Sequence, residues 1–184
     1  ISLYSDGKFN EAIVLIKALN NDYPNVPLLF NILGACYQAL NQNDAAIQMF
    51  RIAVSIKDDY AEAHFNLGVM QKKIGEIDNS IISYKKAISI VPNYAQAYNN
   101  LGNVLFQLNN YDESLKFHQI AVDIEPDFAE AHYNLAGVLK ILGKIDQSET
   151  HYKRAIEIKP NYAEAYNNLG VILKKNKRLN DALS

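Results

Sequence analysis

Asparagine recurs at a spacing of 34 residues, at Asn66, Asn100, Asn134 and Asn168. A side-chain amide donates and accepts hydrogen bonds at once, so a row of amides could pair with the backbone of an extended peptide whatever its sequence. In the same phase Glu62, Glu130 and Glu164 each stand one helical turn before an asparagine of the row, with Gln96 between them. Lys72, Lys140 and Lys174 follow the row, with Phe106 in the intervening repeat, and Asn103 lies one turn beyond Asn100. Together these form the candidate peptide-binding set. The competing account is structural: the asparagines suit contacts between helices, and the acidic and lysine rows form a solvated helix face with minor local support from spacings such as Glu62 to Asn66.

Residues capable of catalysis are present but not assembled. The sequence has no Gly-rich phosphate loop, His-Glu-x-x-His, Cys-x-x-Cys or Gly-x-Ser-x-Gly. His64 and His132 share one phase two repeats apart, too far to share a metal. His118 stands where other repeats have Phe50, Tyr84 and Tyr152, and His151 neighbours that phase. All four read as packing or surface residues, and Cys36, on an apolar helix face, as core rather than nucleophile. No catalytic residue, metal or cofactor is expected in this segment.

The elements that position these side chains follow from the same period. Pro24, Pro92, Pro126 and Pro160 share one phase of it. With repeats starting at Pro27, Ala61, Ala95, Ala129 and Ala163, position 7 is always leucine, from Leu33 to Leu169. Position 8 is Gly34, Gly68, Gly102, Ala136 and Gly170, and position 15 keeps Gly75 and Gly143, with Gly7 in phase. Position 20 is always small, and position 27 is Ala53, Ala87, Ala121 and Ala155, which lets helices approach closely. At about 100° per residue, positions 3, 4, 7, 8, 10, 11 and 14 form the buried side of a first helix, and positions 2, 5, 6, 9, 12 and 13 lie opposite. A chain that rewrites one helical pair along its length builds an extended surface instead of a single converging site.

The segments NYAEAYNNLG (Asn161 to Gly170), NYAQAYNNLG and DFAEAHYNLA resemble the tetratricopeptide repeat, and the resemblance covers nearly the whole chain. It implies an all-α fold: a right-handed superhelical solenoid of antiparallel helix pairs. Helix A is expected from about position 2 to 14 and helix B from about 18 to 31, stopped by the position-32 proline. The expected layout is one solenoid over 1–184: a partial repeat at 1–26, full repeats at 27–60, 61–94, 95–128 and 129–162, and a partial repeat at 163–184. In the family, positions 2, 5, 6, 9, 12 and 13 line the inner, concave face. The asparagine row is similar to the superhelical arm of O-linked N-acetylglucosamine transferases, in which such a ladder holds the acceptor polypeptide. The carboxylate clamp of chaperone adaptors is missing, because position 5 carries Asn31, Phe65, Asn99, Tyr133 and Asn167 and no basic residue stands at position 2 or 6.

Composition bounds the partners. The 184 residues are 49 % hydrophobic, and their net charge of −2 arises from 18 basic and 20 acidic residues that are interspersed, so neither nucleic acid nor an anionic membrane is an expected partner. No apolar stretch approaches the roughly 20 residues that cross a bilayer. Cys36 is alone and no Asn-x-Ser/Thr sequon occurs, which fits a reducing, cytoplasmic setting. The ends, inside a helix A at Ile1 and early in a helix B at Ser184, with Leu179, Ala182 and Leu183 uncovered, read as part of a longer polypeptide. In the second repeat the inner stripe is apolar, at Leu28, Ile32, Ala35 and Ala39, and expects either a preceding segment or an apolar anchor of a partner. Two functions stand. One is a non-catalytic scaffold binding extended peptide segments, with self-association open. The other is the substrate-recruiting arm of a larger glycosyltransferase or sulfotransferase.

Overall fold

In the computed structural model residues 2–183 are described, with side chains for 3–174. Among the described residues the chain is helix and turn, without strands. The expected reading of Leu179, Ala182 and Leu183 as uncovered apolar residues concerns side chains outside that range.

The helices keep the sequence period. Helix A spans positions 1 to 13 in α3 (Pro27–Ala39), α5 (Ala61–Lys73), α7 (Ala95–Gln107) and α9 (Ala129–Ile141). Helix B spans positions 17 to 30 in α2 (Phe9–Asp22), α4 (Asn43–Ile56), α6 (Ile77–Ile90), α8 (Tyr111–Ile124) and α10 (Ile145–Ile158). A short α1 (Ser2–Ser5) precedes them and α11 (Ala163–Leu183) follows. The predicted boundaries lie one residue late at each end.

The turn between helix A and helix B has one design throughout. Position 15 takes a left-handed conformation at Asn41, Gly75, Asn109 and Gly143, with φ between 57 and 86°, as Gly7 does in the first repeat. Gly75 N–H then reaches Lys72 O at 3.1 Å and Glu76 N–H reaches Gln71 O at 2.8 Å, which satisfies the carbonyls that the helix end leaves open. Asn41 and Asn109 form the same pair of bonds, as asparagine tolerates this conformation better than other side-chain-bearing residues. In α11 position 15 is Lys177, and the helix runs on to Leu183 where the spacing predicts a break. Proline is not required at the end of helix B: α4 stops at Ile56, in phase with the others, although Asp58 replaces the proline.

The chain divides into two compact units, Ile1–Pro92 and Asn93–Ser184. Neither has a central core; apolar side chains pack between neighbouring helices. In the first unit Ala12, Ile13, Ile16, Leu33 and Cys36 form one cluster and Ala46, Ile47, Phe50, Leu67 and Met70 another. In the second, Ala121, Val122, Ala131, Leu135 and Leu139 form one, and Ala129, Ala136, Tyr152, Ala155, Tyr162, Ala165 and Ile172 the other. The position-24 ring lies directly on the position-8 glycine: a Cβ on Gly34, Gly68 or Gly102 would stand 2.5, 2.8 or 2.8 Å from Phe50, Tyr84 or His118. Position 20 adds a hydrogen bond across the pair, Ser114 Oγ donating to Gly102 O at 2.8 Å and Ser148 Oγ to Ala136 O at 2.7 Å. Cys36 is fully buried and burial pushes its thiol pKa up, so it is core, as its position implies.

Candidate functional site on the helix-A face

The asparagine row is tied to the fold by position 5, which the spacing places on the open side of helix A but which is buried at Asn31 and Asn99 because its side chain reaches the next repeat. Position 6 of one repeat reaches back to position 5 of the repeat before. Asn66 Nδ2 donates to Asn31 Oδ1 at 3.1 Å, Asn134 Nδ2 to Asn99 Oδ1 at 3.0 Å, and Asn168 Nδ2 to the Tyr133 hydroxyl at 3.1 Å. The acceptors are themselves held. Asn31, 3 % exposed, donates to Tyr60 Oη and Glu62 Oε1, both at 3.2 Å. Asn99, 5 % exposed, also receives His118 Nδ1–H at 3.0 Å. Three amides of the row therefore join neighbouring repeats, and each keeps part of its hydrogen-bonding capacity for something else. The half-buried Asn100 side chain forms no hydrogen bond among the described residues.

Each unit opens a cleft on this face. In the second, a cleft of about 280 Å³ is lined by Asn103, Phe106, His118, Tyr133, Asn134, Gly137, Lys140, Ile141, Tyr152 and Asn168. Four members of the candidate set thus converge: Asn103, Asn134, Lys140 and Asn168. Lys140 Nζ donates to Asn168 Oδ1 at 2.8 Å and lies 6.0 Å from the centre of the Tyr152 ring. Tyr152 is 1 % exposed, and burial with Tyr133 alongside pushes its pKa up to about 12.

In the first unit a cleft of about 600 Å³ is lined by Tyr4, Asn31, Ile32, Ala35, Gln38, Ala39, Glu62, Asn66 and Lys73. Its centre is the apolar stripe of the second repeat. Tyr4 of α1 borders it, and Leu28 at the stripe's start is exposed. Glu62 and Lys73 are both engaged, the first with Asn31 and the second with Asn41 Oδ1 at 3.1 Å.

The remaining candidates lie outside both clefts. Glu130 accepts from Lys159 Nζ at 3.3 Å, Glu164 and Lys174 are exposed, and Lys72 is half-buried with its pKa lowered by burial. The acidic and lysine rows are thus not uniform features of the surface; only Glu62 and Lys140 enter a cleft.

The histidines need one correction. His64 and His132 pack as expected, each donating Nε2–H to the position-32 carbonyl of the preceding repeat, Asp58 O at 2.9 Å and Pro126 O at 3.0 Å. His132 and His151, however, do assemble: their Nδ1 atoms are 2.9 Å apart and their rings stack at 5.2 Å. With Nε2–H of His132 committed to a carbonyl, its Nδ1 must accept and His151 Nδ1–H must donate. Burial lowers both pKa values, and His151 is lowered further by His132. One helix-A and one helix-B position of the same repeat meet here, which spacing within a single helix does not reveal. Among the described residues no cluster of three or more potential metal ligands occurs.

Family profiles described as tetratricopeptide repeat match residues 29–60 and 95–128, and one described as TPR repeat matches 72–109 and 138–177. The chain belongs to the tetratricopeptide repeat family. Membership identifies a protein-interaction scaffold. The crystal structure of MamA superposes with a TM-score of 0.77 at 25 % identity, covering 89 % of this chain and 95 % of that one. The structure of YrrB, described as a TPR protein with an unusual peptide-binding site, gives a TM-score of 0.74 at 18 % identity over 88 % of this chain and 84 % of that one. By sequence, 72 residues are 32 % identical to the peroxisomal targeting signal receptor of Candida glabrata, and 72 are 29 % identical to that of Kluyveromyces lactis. Those matches take in 39 % of this chain but only 12 and 13 % of the receptors. Among the described residues no helix is long and apolar enough to cross a membrane.

Proposed function

We propose that this chain holds an extended segment of a partner protein on the helix-A faces of its repeats, without chemistry of its own in these residues. The observation that carries the reading is that each unit opens a cleft on that face, lined by position-6 asparagines with hydrogen-bonding capacity left over. An extended backbone offers the alternating N–H and C=O groups that such amides match. Asn66, Asn100, Asn103 and Asn134 are the proposed backbone contacts, and the apolar stripe around Ile32 takes a side chain. The balanced charge disfavours nucleic acid, and the single buried Cys36 suits a reducing, cytoplasmic setting. The peptide-binding site named for YrrB and the signal recognition named for the peroxisomal receptors support a peptide ligand.

An array of overlapping short peptides, probed with the purified chain, tests this. Replacing Asn103 with alanine, which breaks no side-chain hydrogen bond among the described residues, is expected to reduce capture by about fivefold or more without lowering the melting temperature. Replacing the exposed Lys116 and Gln119 of α8 is expected to leave capture unchanged. Capture that survives the first change and is lost with the second would place binding elsewhere and overturn the proposal.

A further inference from the structure

We infer that the cleft of the second unit is a subsite for an acidic side chain, a glutamate or aspartate of the bound peptide; the assignment rests on the peptide-binding reading above and makes it more specific. The lining holds one cation, Lys140, and no carboxylate. Lys140 has no ion pair among the described residues, whereas Arg154 and Lys159 of the same unit are paired, with Asp127 at 2.7 Å and Glu130 at 3.3 Å. Its bond to Asn168 Oδ1 fixes the ammonium at the cleft and leaves two of its three N–H groups without a partner. A half-buried ammonium in that state favours an anion.

A second donor is independent of Lys140. The Tyr152 hydroxyl belongs to a side chain that is 1 % exposed, has no hydrogen-bond partner among the described residues, and lines the cleft. Position 9 in this repeat is Gly137, and even a Cβ there would stand 3.8 Å from that hydroxyl, so glycine leaves the approach open. The high pKa keeps the hydroxyl protonated across the physiological range, hence a donor. Asn134 retains one N–H and Asn103 its whole amide. A carboxylate, which accepts through two oxygens, matches this donor-rich set better than a carboxamide, which would present its own N–H groups to Lys140 and Tyr152. Phe106 and Ile141 border the cleft and suit the methylene stem.

The test is a titration of the whole chain, followed by the side-chain amide resonances of its asparagines. The probes are N-acetylglutamate N-methylamide, its glutamine counterpart and inorganic phosphate. The expected result is saturable shifts of Asn103 and Asn134 with the glutamate probe, with a preference over glutamine of about tenfold that is lost in Lys140→Gln and weakened in Tyr152→Phe. Equal response to glutamate and glutamine, or a phosphate response as strong as that to glutamate, would overturn the assignment. Array peptides carrying Glu→Gln changes, with free or amidated C-termini, separate the sources of the carboxylate. Capture that depends on a free C-terminus overturns a side-chain subsite, and capture indifferent to both changes refutes the subsite while leaving peptide binding intact. Glutamate-probe binding in a chain that captures no peptide would sustain the subsite and remove the peptide reading.

Discussion

The two clefts stand on the same repeat positions and have different chemistry. In the first unit positions 6, 9 and 13 of α3 are Ile32, Ala35 and Ala39, and the charged residues at its edge, Glu62 and Lys73, are already bonded to neighbours. In the second unit the same face offers Asn103, Asn134, a Lys140 without an ion pair among the described residues and a buried hydroxyl behind Gly137. The framework is common to both because positions 7, 8, 20, 24 and 27 face the neighbouring helices, whereas positions 6, 9, 12 and 13 line the clefts and differ between the units, although Ile32 also packs against the Ala12–Cys36 cluster and Phe106 against Tyr111. On the proposed peptide-binding reading, the residues that recognise a partner are largely distinct from those that stabilise the fold, except where position 6 bonds back to position 5 and where Ile32 reaches the core.

The largest effect expected from probing that separation lies in the framework. Gly68→Val forces a side chain into the Tyr84 ring and should cost about 2–3 kcal/mol, read as a lower denaturation midpoint, while Gly137→Ala, with nothing nearer than 3.8 Å, should not destabilise. Equal losses at both sites would dissolve the distinction between framework and surface. Next comes the bond that joins the two roles. Asn99→Ala leaves His118 Nδ1–H and an Asn134 N–H without their acceptor, a loss of about 2 kcal/mol, measurable by chemical denaturation. Ile32→Asn, at the partly buried centre of the first cleft and against the edge of the Ala12–Cys36 cluster, should cost about 1 kcal/mol of stability and weaken capture of peptides with apolar anchors. A large loss of stability there would make the stripe core rather than binding surface.

The smallest effect is a pH dependence of the second unit. His132 and His151 have pKa values below the ordinary histidine value, so below about 6.5 the unfolded chain binds more protons than the folded one. Their contribution to stability is therefore complete above that value and is lost as the pH falls through the lowered pKa values. Arg154 opposes and Asp127 favours the charge on His132. Melting temperatures from pH 7.5 to 5.5 should fall less steeply in His151→Gln than in the parent chain. An identical slope would show that the pair does not titrate with folding.

Much of the framework was legible in the sequence because it repeats. Leu33 to Leu169, the glycines at position 8 and the alanines at position 27 can be read from their phase alone, and the structure buries them accordingly where a neighbouring helix covers them. Asn41 and Asn109 escaped as turn residues because a search for glycine does not recognise a second residue type that accepts the left-handed conformation. Position 5 escaped for a similar reason: Asn31, Asn99 and Tyr133 differ in type but share an acceptor oxygen, and it is the oxygen that position 6 requires. The clefts were the least legible. Lys72, Lys140 and Lys174 occupy one phase, yet only Lys140 faces a cleft, opened by the local coincidence of Gly137, Tyr152 and Phe106.

The bond from position 6 to position 5 also gives the repeats it joins two unlike edges, one that donates and one that accepts. A second copy of residues 99–132 inserted after the first sets an Asn100 side chain against Asn99 and Asn134 against the copied Asn99, so the chain can grow there by a whole repeat without stranding a polar group. Phe65, which carries no acceptor, is the poor place for such a joint. The Asn99–Asn100 pair, an acceptor beside a donor, therefore also marks where the polypeptide tolerates an added repeat.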